Sequence, residues 1–94
     1  MAITIMSALA QPTRMAVFTL LAKAGPEGLT AGDLADRTGT PDNTMSAHLL
    51  ILTRAGLAAS RRAGRNIFYS AQVEGVRGLS AFLEETASGA ERPS

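Results

Sequence analysis

The stretch that most constrains this chain is residues 40–57, TPDNTMSAHLLILTRAGL, which reads as a helix with two differently used faces. Met45, Leu49 and Leu52 recur at i, i+4 and i+7, the spacing of an apolar stripe that has to be buried against other elements. The other face is small and polar, with Asn43, Thr44, Ser46 and Ala47 in the first turns and nothing bulky to shield them. Thr40 is the expected N-cap, Pro41 the expected first helical residue, and Gly56 stands where a left-handed residue would close the helix.

The neighbouring segments give this helix a setting. Thr30 is placed to cap a preceding helix, with Asp33 three residues on in a near capping-box arrangement, Leu34 and Ala35 facing inward and Gly39 as the terminator. Two helices joined through a short glycine-containing turn make a helix-turn-helix, whose second member is the one that can enter a major groove. After Gly56 the pattern changes to period two. Residues 58–62 and 66–71 flank a turn at 63–65, and the second strand carries Ile67, Phe68 and Tyr69. Arg61, Arg62 and Arg65 are expected at the tip of this hairpin, which makes it a basic wing.

The flanking segments carry surplus apolar surface. Residues 3–11 hold Ile3, Ile5, Met6 and Leu9, and residues 73–86 hold Val76, Leu79, Phe82 and Leu83. A 94-residue chain buries only about 60 to 65% of its unfolded surface, so these two helices are expected to be covered by a second copy of the chain. Ile3, Ile5, Leu9, Val76, Leu79 and Leu83 are the expected homodimer contacts. Between them, Pro12 can start a helix with Met15, Phe18, Leu21 and Ala22 on one side, ended by Gly25-Pro26-Glu27-Gly28. The expected fold is mainly α with a small β-hairpin: a winged helix-turn-helix of about five helices and a two-stranded wing. It forms one domain over residues 1–94, with the tail 88–94 outside regular structure.

Charge separates the chain into zones. Residues 37–65 carry five arginines against Asp42 alone, a balance of +4, while the remainder carries −3. A polyanion would be met by the centre of the chain and avoided by its ends. Enzymatic chemistry has little to use. His48 is the only histidine and sits at the edge of the core stripe, where a structural hydrogen bond is its expected role. There is no phosphate-binding glycine loop, no paired carboxylates beside a nucleophile, and no cysteine to supply a disulfide, a thiol nucleophile or a metal-binding thiolate. No cofactor or metal is expected. No run approaches the roughly 18 apolar residues of a membrane span, and the first residues lack the basic region of a secretory signal, so a cytoplasmic location is expected.

The segments LAQPTRMAVFTLLAKAGPEGL, LADRTG, NTMSAHLLILTRAGL and RRAGRNIFYS together resemble the arsenical-resistance-repressor (ArsR-type) family of winged helix-turn-helix regulators. The likeness runs from about Ala8 to Leu83 and is most specific at Ser46-Ala47-His48-Leu49 and at Arg62-x-Gly64-Arg65. It implies a homodimer built from the first and last helices, and a repressor that leaves its operator when an inducer binds. The subgroup sharing the Pro-Glu-Gly-Leu lead-in places cysteines that bind trivalent arsenic at positions matching Ala87, Ser88 and Ser94. Those thiols are absent here, through divergence or substitution, and the inducer is left open. Family members that sense through the third helix carry a cysteine pair at positions matching Thr30 and Gly32, which this chain also lacks.

The resulting expectation is a dimeric repressor on an inverted-repeat operator in double-stranded DNA. Asn43, Thr44, Ser46 and Ala47 would face the groove, and Arg61, Arg62 and Arg65 the flanking backbone. The competing reading is a winged-helix module that binds a protein instead of DNA. An arginine-rich wing argues against it, because charge is depleted in the cores of protein interfaces.

Overall fold

A computed structural model describes residues 2–91. The chain runs α1 (Ala2–Leu9), α2 (Pro12–Ala24), a 3₁₀ turn (Gly25–Glu27), β1 (Leu29–Thr30), α3 (Ala31–Thr38), α4 (Asp42–Arg54), β2 (Ala58–Ala63), β3 (Asn66–Ala71) and α5 (Glu74–Glu91). No single helix among the described residues is long and apolar enough to cross a membrane.

The core forms where the apolar stripes of α2, α3 and α4 meet. Met45, Leu49 and Leu52, the three positions expected to anchor α4, are fully buried with Val17, Leu21, Leu34 and Leu57. Burying a side chain of this size stabilises the fold by about 1.5–3 kcal/mol, so the α4 anchors hold the helix firmly while its other face stays free. The stripe expected on α2 is rotated. Val17 and Leu21 are the buried pair, Phe18 is half-buried, and Met15 and Ala22 are exposed. Apolar residues occupy almost every side of α2, and spacing alone fits more than one stripe.

Both ends of α3 form as the residues dictate. The Thr30 hydroxyl accepts from the Asp33 N–H at 3.1 Å while the Asp33 carboxylate accepts from the Thr30 N–H, a complete capping box. At the other end Gly39 is left-handed (φ 65°), and the N–H groups of Gly39 and Thr40 return to the carbonyls of Asp36 and Ala35. The start of α4 differs from expectation. Pro41 is the N-cap and Asp42 the first helical residue, and Thr40 does not cap because its hydroxyl lies 2.8 Å from that of Thr38, which donates to the Leu34 carbonyl. Gly56 (φ 75°) closes α4 as expected, with Leu57 N–H returning to Leu52 at 2.9 Å.

The sheet has a strand that period-two patterning could not reveal. Leu29 and Thr30 pair antiparallel with Tyr69 and Phe68, giving the order β1-β3-β2. Two residues are too few to show an alternation. Gly28 delivers the chain into this strand at φ 77°, so close to β3 that a Cβ there would overlap the Tyr69 carbonyl oxygen. The hairpin register pairs Ala63 with Asn66, so the turn is the two residues Gly64-Arg65, with the positive φ (62°) at Gly64 alone.

The last helix is longer than expected, and its apolar surface is left uncovered, as expected. It continues through Ser88 to Glu91, where a structureless tail was anticipated. Ala87, Ala90 and Glu91 are good helix formers that carry it past Gly89. None of its 18 residues is buried. Val76 and Leu79 are half-buried against the core, Phe82 is 58% exposed and Leu83 47% exposed. At about 1.5 Å per residue α5 is about 27 Å long, in a molecule measuring 58 × 22 × 20 Å. Ile5, expected at a dimer contact, is instead only 3% exposed within its own chain. It packs where Gly75 lacks a side chain, since a Cβ there would lie 2.8 Å from Ile5 Cδ1.

Candidate nucleic-acid interface

Helix α4 presents its first turns outward. Asn43, Thr44, Ser46 and Ala47 are all exposed, on the side opposite Met45, Leu49 and Leu52. Pro41 has no polar side chain to offer and no side-chain cap is present, although Asn43 Oδ1 accepts from the Thr44 N–H at 3.0 Å. The N-terminal end of a 13-residue helix thus keeps the backbone N–H groups of Asp42 and Asn43 open to a phosphate oxygen, although the Asp42 carboxylate in the first turn offsets the positive end of the helix dipole.

Between α4 and the sheet lies a cleft of about 370 Å³ lined by Ser46, Leu49, Leu50, Thr53, Ser60 and Tyr69. Four of the six carry a hydroxyl. Thr53, Ser60 and Tyr69 were not singled out by sequence reading. The one available signal was the i, i+7 spacing of Ser46 and Thr53, which puts two hydroxyls on one line of the helix. Leu50, out of place on a polar face, sits at the lip of this cleft and remains 49% exposed.

The arginines of the wing do not act as one group. Successive residues of a strand point to opposite faces. Ala58 is buried against the core and Ser60 lines the cleft, so Arg62, two residues further, shares the α4 side. Arg65 occupies the turn and is exposed. Arg61 lies on the reverse face. Its Nη2 donates to the Glu27 carbonyl at 2.9 Å, and its guanidinium stacks over the Phe68 ring at 4.9 Å. The expected cluster of three tip arginines is therefore divided: Arg62 lies on the α4 side, Arg65 stands at the turn, and Arg61 is held on the reverse face.

Beneath α4, His48 is half-buried and contacts Arg14 of α2. Burial, and secondarily the Arg14 charge, lower its pKa from the usual 6.5. The expected structural role of this histidine has a concrete partner. Among the described residues, no group of three or more His, Cys, Asp or Glu side chains could hold a metal ion. Ala87 and Ser88 are exposed on α5, and Ser94 lies outside the described residues.

A second helix anchored by one face, a preceding capped helix and a two-stranded wing within a three-stranded sheet define a winged helix-turn-helix protein. A family model described as "Helix-turn-helix domain" matches residues 9–61. The chain is 40% identical over 65 residues to the HTH-type transcriptional regulator NmtR of Mycobacterium tuberculosis, covering 69% of this chain and 52% of that protein. It is 36% identical over 66 residues to the transcriptional repressor SdpR of Bacillus subtilis, covering 70% of each. Among solved structures, an ArsR-like transcriptional regulator from Rhodococcus sp. RHA1 superimposes with a TM-score of 0.86 at 27% identity, covering 97% of this chain and 83% of that one. The homodimeric winged helix-turn-helix DNA-binding domain Mb0332 of Mycobacterium bovis gives a TM-score of 0.69 at 29% identity, covering 95% and 80%. The chain belongs to the ArsR-type family of winged helix-turn-helix regulators. It spans about half the length of NmtR.

Proposed function

We propose that this chain is a dimeric transcriptional repressor that binds an inverted-repeat operator in duplex DNA. The observation that carries the reading is the placement of the open, uncapped N-terminal end of α4 on the same side as Arg62, with Arg65 at the wing tip beyond it. Asn43, Thr44, Ser46 and Ala47 face base edges and nearby phosphates, and Arg62 and Arg65 hold the flanking backbone. The exposed first turns carry no Arg or Lys to pair with guanine, so phosphate contacts and DNA shape supply much of the specificity.

Dimerisation is supported by the uncovered apolar side of α5 and by the homodimeric relative. Ile3, Leu9, Val76, Leu79 and Leu83, joined by Phe82, form the contact, and Ile5 braces it from inside. Repression is supported by the name of the SdpR relative. With no cysteine, this chain offers trivalent arsenic no thiolate ligand, and arsenite leaves its DNA complex intact. The test is a titration of the protein against random duplex DNA at low salt, followed by a footprint on the DNA upstream of its own gene. Absence of binding to either, from a folded dimer, overturns the reading in favour of a protein-binding module.

A further inference from the structure

Arg61 and Arg62 are adjacent, equally charged and both exposed, yet the strand sends them to opposite faces with different neighbours. Arg62 lies on the α4 side. Arg61 reaches back across the sheet to the 3₁₀ turn, where its Nη2 donates to the Glu27 carbonyl at 2.9 Å while its guanidinium plane covers Phe68 at 4.9 Å. Phe68 is also its cross-strand partner in the β2–β3 register and the partner of Thr30 in β1. One side chain thus joins the outer strand of the wing to the central strand and to the turn that leads into β1 and α3.

This matters because the wing is otherwise held at its base alone. Residues 61–67 are all exposed, and the core packing of the hairpin ends at Ala58 on β2 and at Tyr69 and Ala71 on β3. A two-stranded ribbon extending beyond its packed base is marginal by itself in water. A contact that ties its middle to a neighbouring turn therefore sets its angle. A planar guanidinium is suited to this, since it can donate in its plane while stacking through its face. The backbone of the turn is in turn fixed by Gly28, which presses against β3.

We infer that Arg61 is a positioning residue rather than a DNA contact: it clamps the wing against the 3₁₀ turn at Glu27 and so sets where Arg62 and Arg65 meet the DNA backbone. The inference rests on the DNA-binding reading for its consequence, but the clamp itself can be measured without DNA.

The experiment compares Arg61→Ala, Phe68→Leu and Arg62→Ala in the full chain by two readouts. In the free protein, amide hydrogen exchange at residues 60–68 should quicken several-fold in Arg61→Ala and in Phe68→Leu and stay unchanged in Arg62→Ala. On duplex DNA, Arg61→Ala should weaken binding by about three- to tenfold, the scale of one exposed stacked cation and one hydrogen bond. The slope of log affinity against log salt should stay at the wild-type value. Arg62→Ala should lower that slope by about one for each phosphate it leaves without a cationic partner. Unchanged exchange in Arg61→Ala, or a salt slope reduced as much as in Arg62→Ala, overturns the clamp. If none of the proteins binds DNA, the DNA reading fails, and the exchange measurement still decides whether Arg61 holds the wing.

Discussion

Nη1 of Arg14 stands 3.4 Å from Nδ1 of His48, so that α2 is tied to the underside of α4 by a contact whose direction is fixed. Arginine carries donors only, and Nδ1 must therefore accept, which places the ring proton on Nε2 and keeps the imidazole neutral. The same guanidinium donates through Nε to the Ala8 carbonyl at 2.7 Å. One side chain thus links the end of α1, which bears on the proposed dimer contact, to the helix proposed to read DNA.

A pH dependence follows from this contact. Burial and the Arg14 charge lower the His48 pKa below 6.5 in the folded chain. When pH falls through 6.5, the unfolded chain takes up a proton that the folded chain resists. Stability from this group is full above the unfolded pKa and is lost as pH falls from there through the lowered folded pKa. Thermal unfolding should show the wild type losing more stability than His48→Gln between about pH 7 and about pH 5. Parallel curves for the two proteins would refute the argument. Arg14→Gln should raise the His48 pKa toward its ordinary value, read from the imidazole proton resonances.

Gly28 is the position where a single methyl group does the most damage. Its φ of 77° strains any L side chain, and an added Cβ would overlap the Tyr69 carbonyl oxygen, which is backbone held in the β1–β3 pairing. Gly28→Ala should destabilise the fold by more than about 2 kcal/mol. Gly39→Ala, with similar φ but nothing within 4 Å of the added Cβ, should cost about 1 kcal/mol. Equal losses in a denaturant titration would show that the overlap is relieved by an easy shift of the turn.

How much of this was legible in the sequence depends on how many residues carried each signal. The α4 stripe, the Thr30–Asp33 box and the closing glycines at 39 and 56 are local patterns with one physical solution, and each formed as expected. The separation of Arg61 from Arg62 was latent in the period of a strand, but the partner of Arg61 is 34 residues away at Glu27 and no local pattern points to it. The same distance in sequence, 34 residues, hid the Arg14–His48 contact. Ile5 illustrates a further limit, since an apolar residue on a surplus face looks the same whether its cover is Gly75 of its own chain or a second copy.

The cleft between α4 and the wing makes a prediction about specificity. Ser46 lines it from the helix and Arg62 shares its side of the wing. Ser46→Ala should change the preferred operator sequence with the salt slope unaltered, whereas Arg62→Ala should weaken specific and random duplexes about equally. Selection from randomised duplexes, run beside a salt titration, checks both. A shifted sequence preference in Arg62→Ala with an unchanged slope would assign that arginine to bases instead of phosphates.

Dimerisation and DNA binding should disappear together when the α5 contact is charged. Leu79 lies half-buried at the base of the uncovered side of α5, beside Gly75, Gly78 and Phe82 in a groove of about 510 Å³ that Ile5 of α1 also lines. In Leu79→Glu a carboxylate can reach water from a lone chain but not from beneath an apolar partner helix, so the fold survives and the interface does not. Each half of an inverted repeat would then be bound independently. The affinity gained by linking two recognition helices, worth about a hundredfold or more, would vanish. Sedimentation should show a monomer with unchanged far-ultraviolet dichroism, and operator affinity should fall to that for a single half-site. A variant that remains dimeric would move the contact off this groove, and a monomer with full operator affinity would show that one recognition helix is enough.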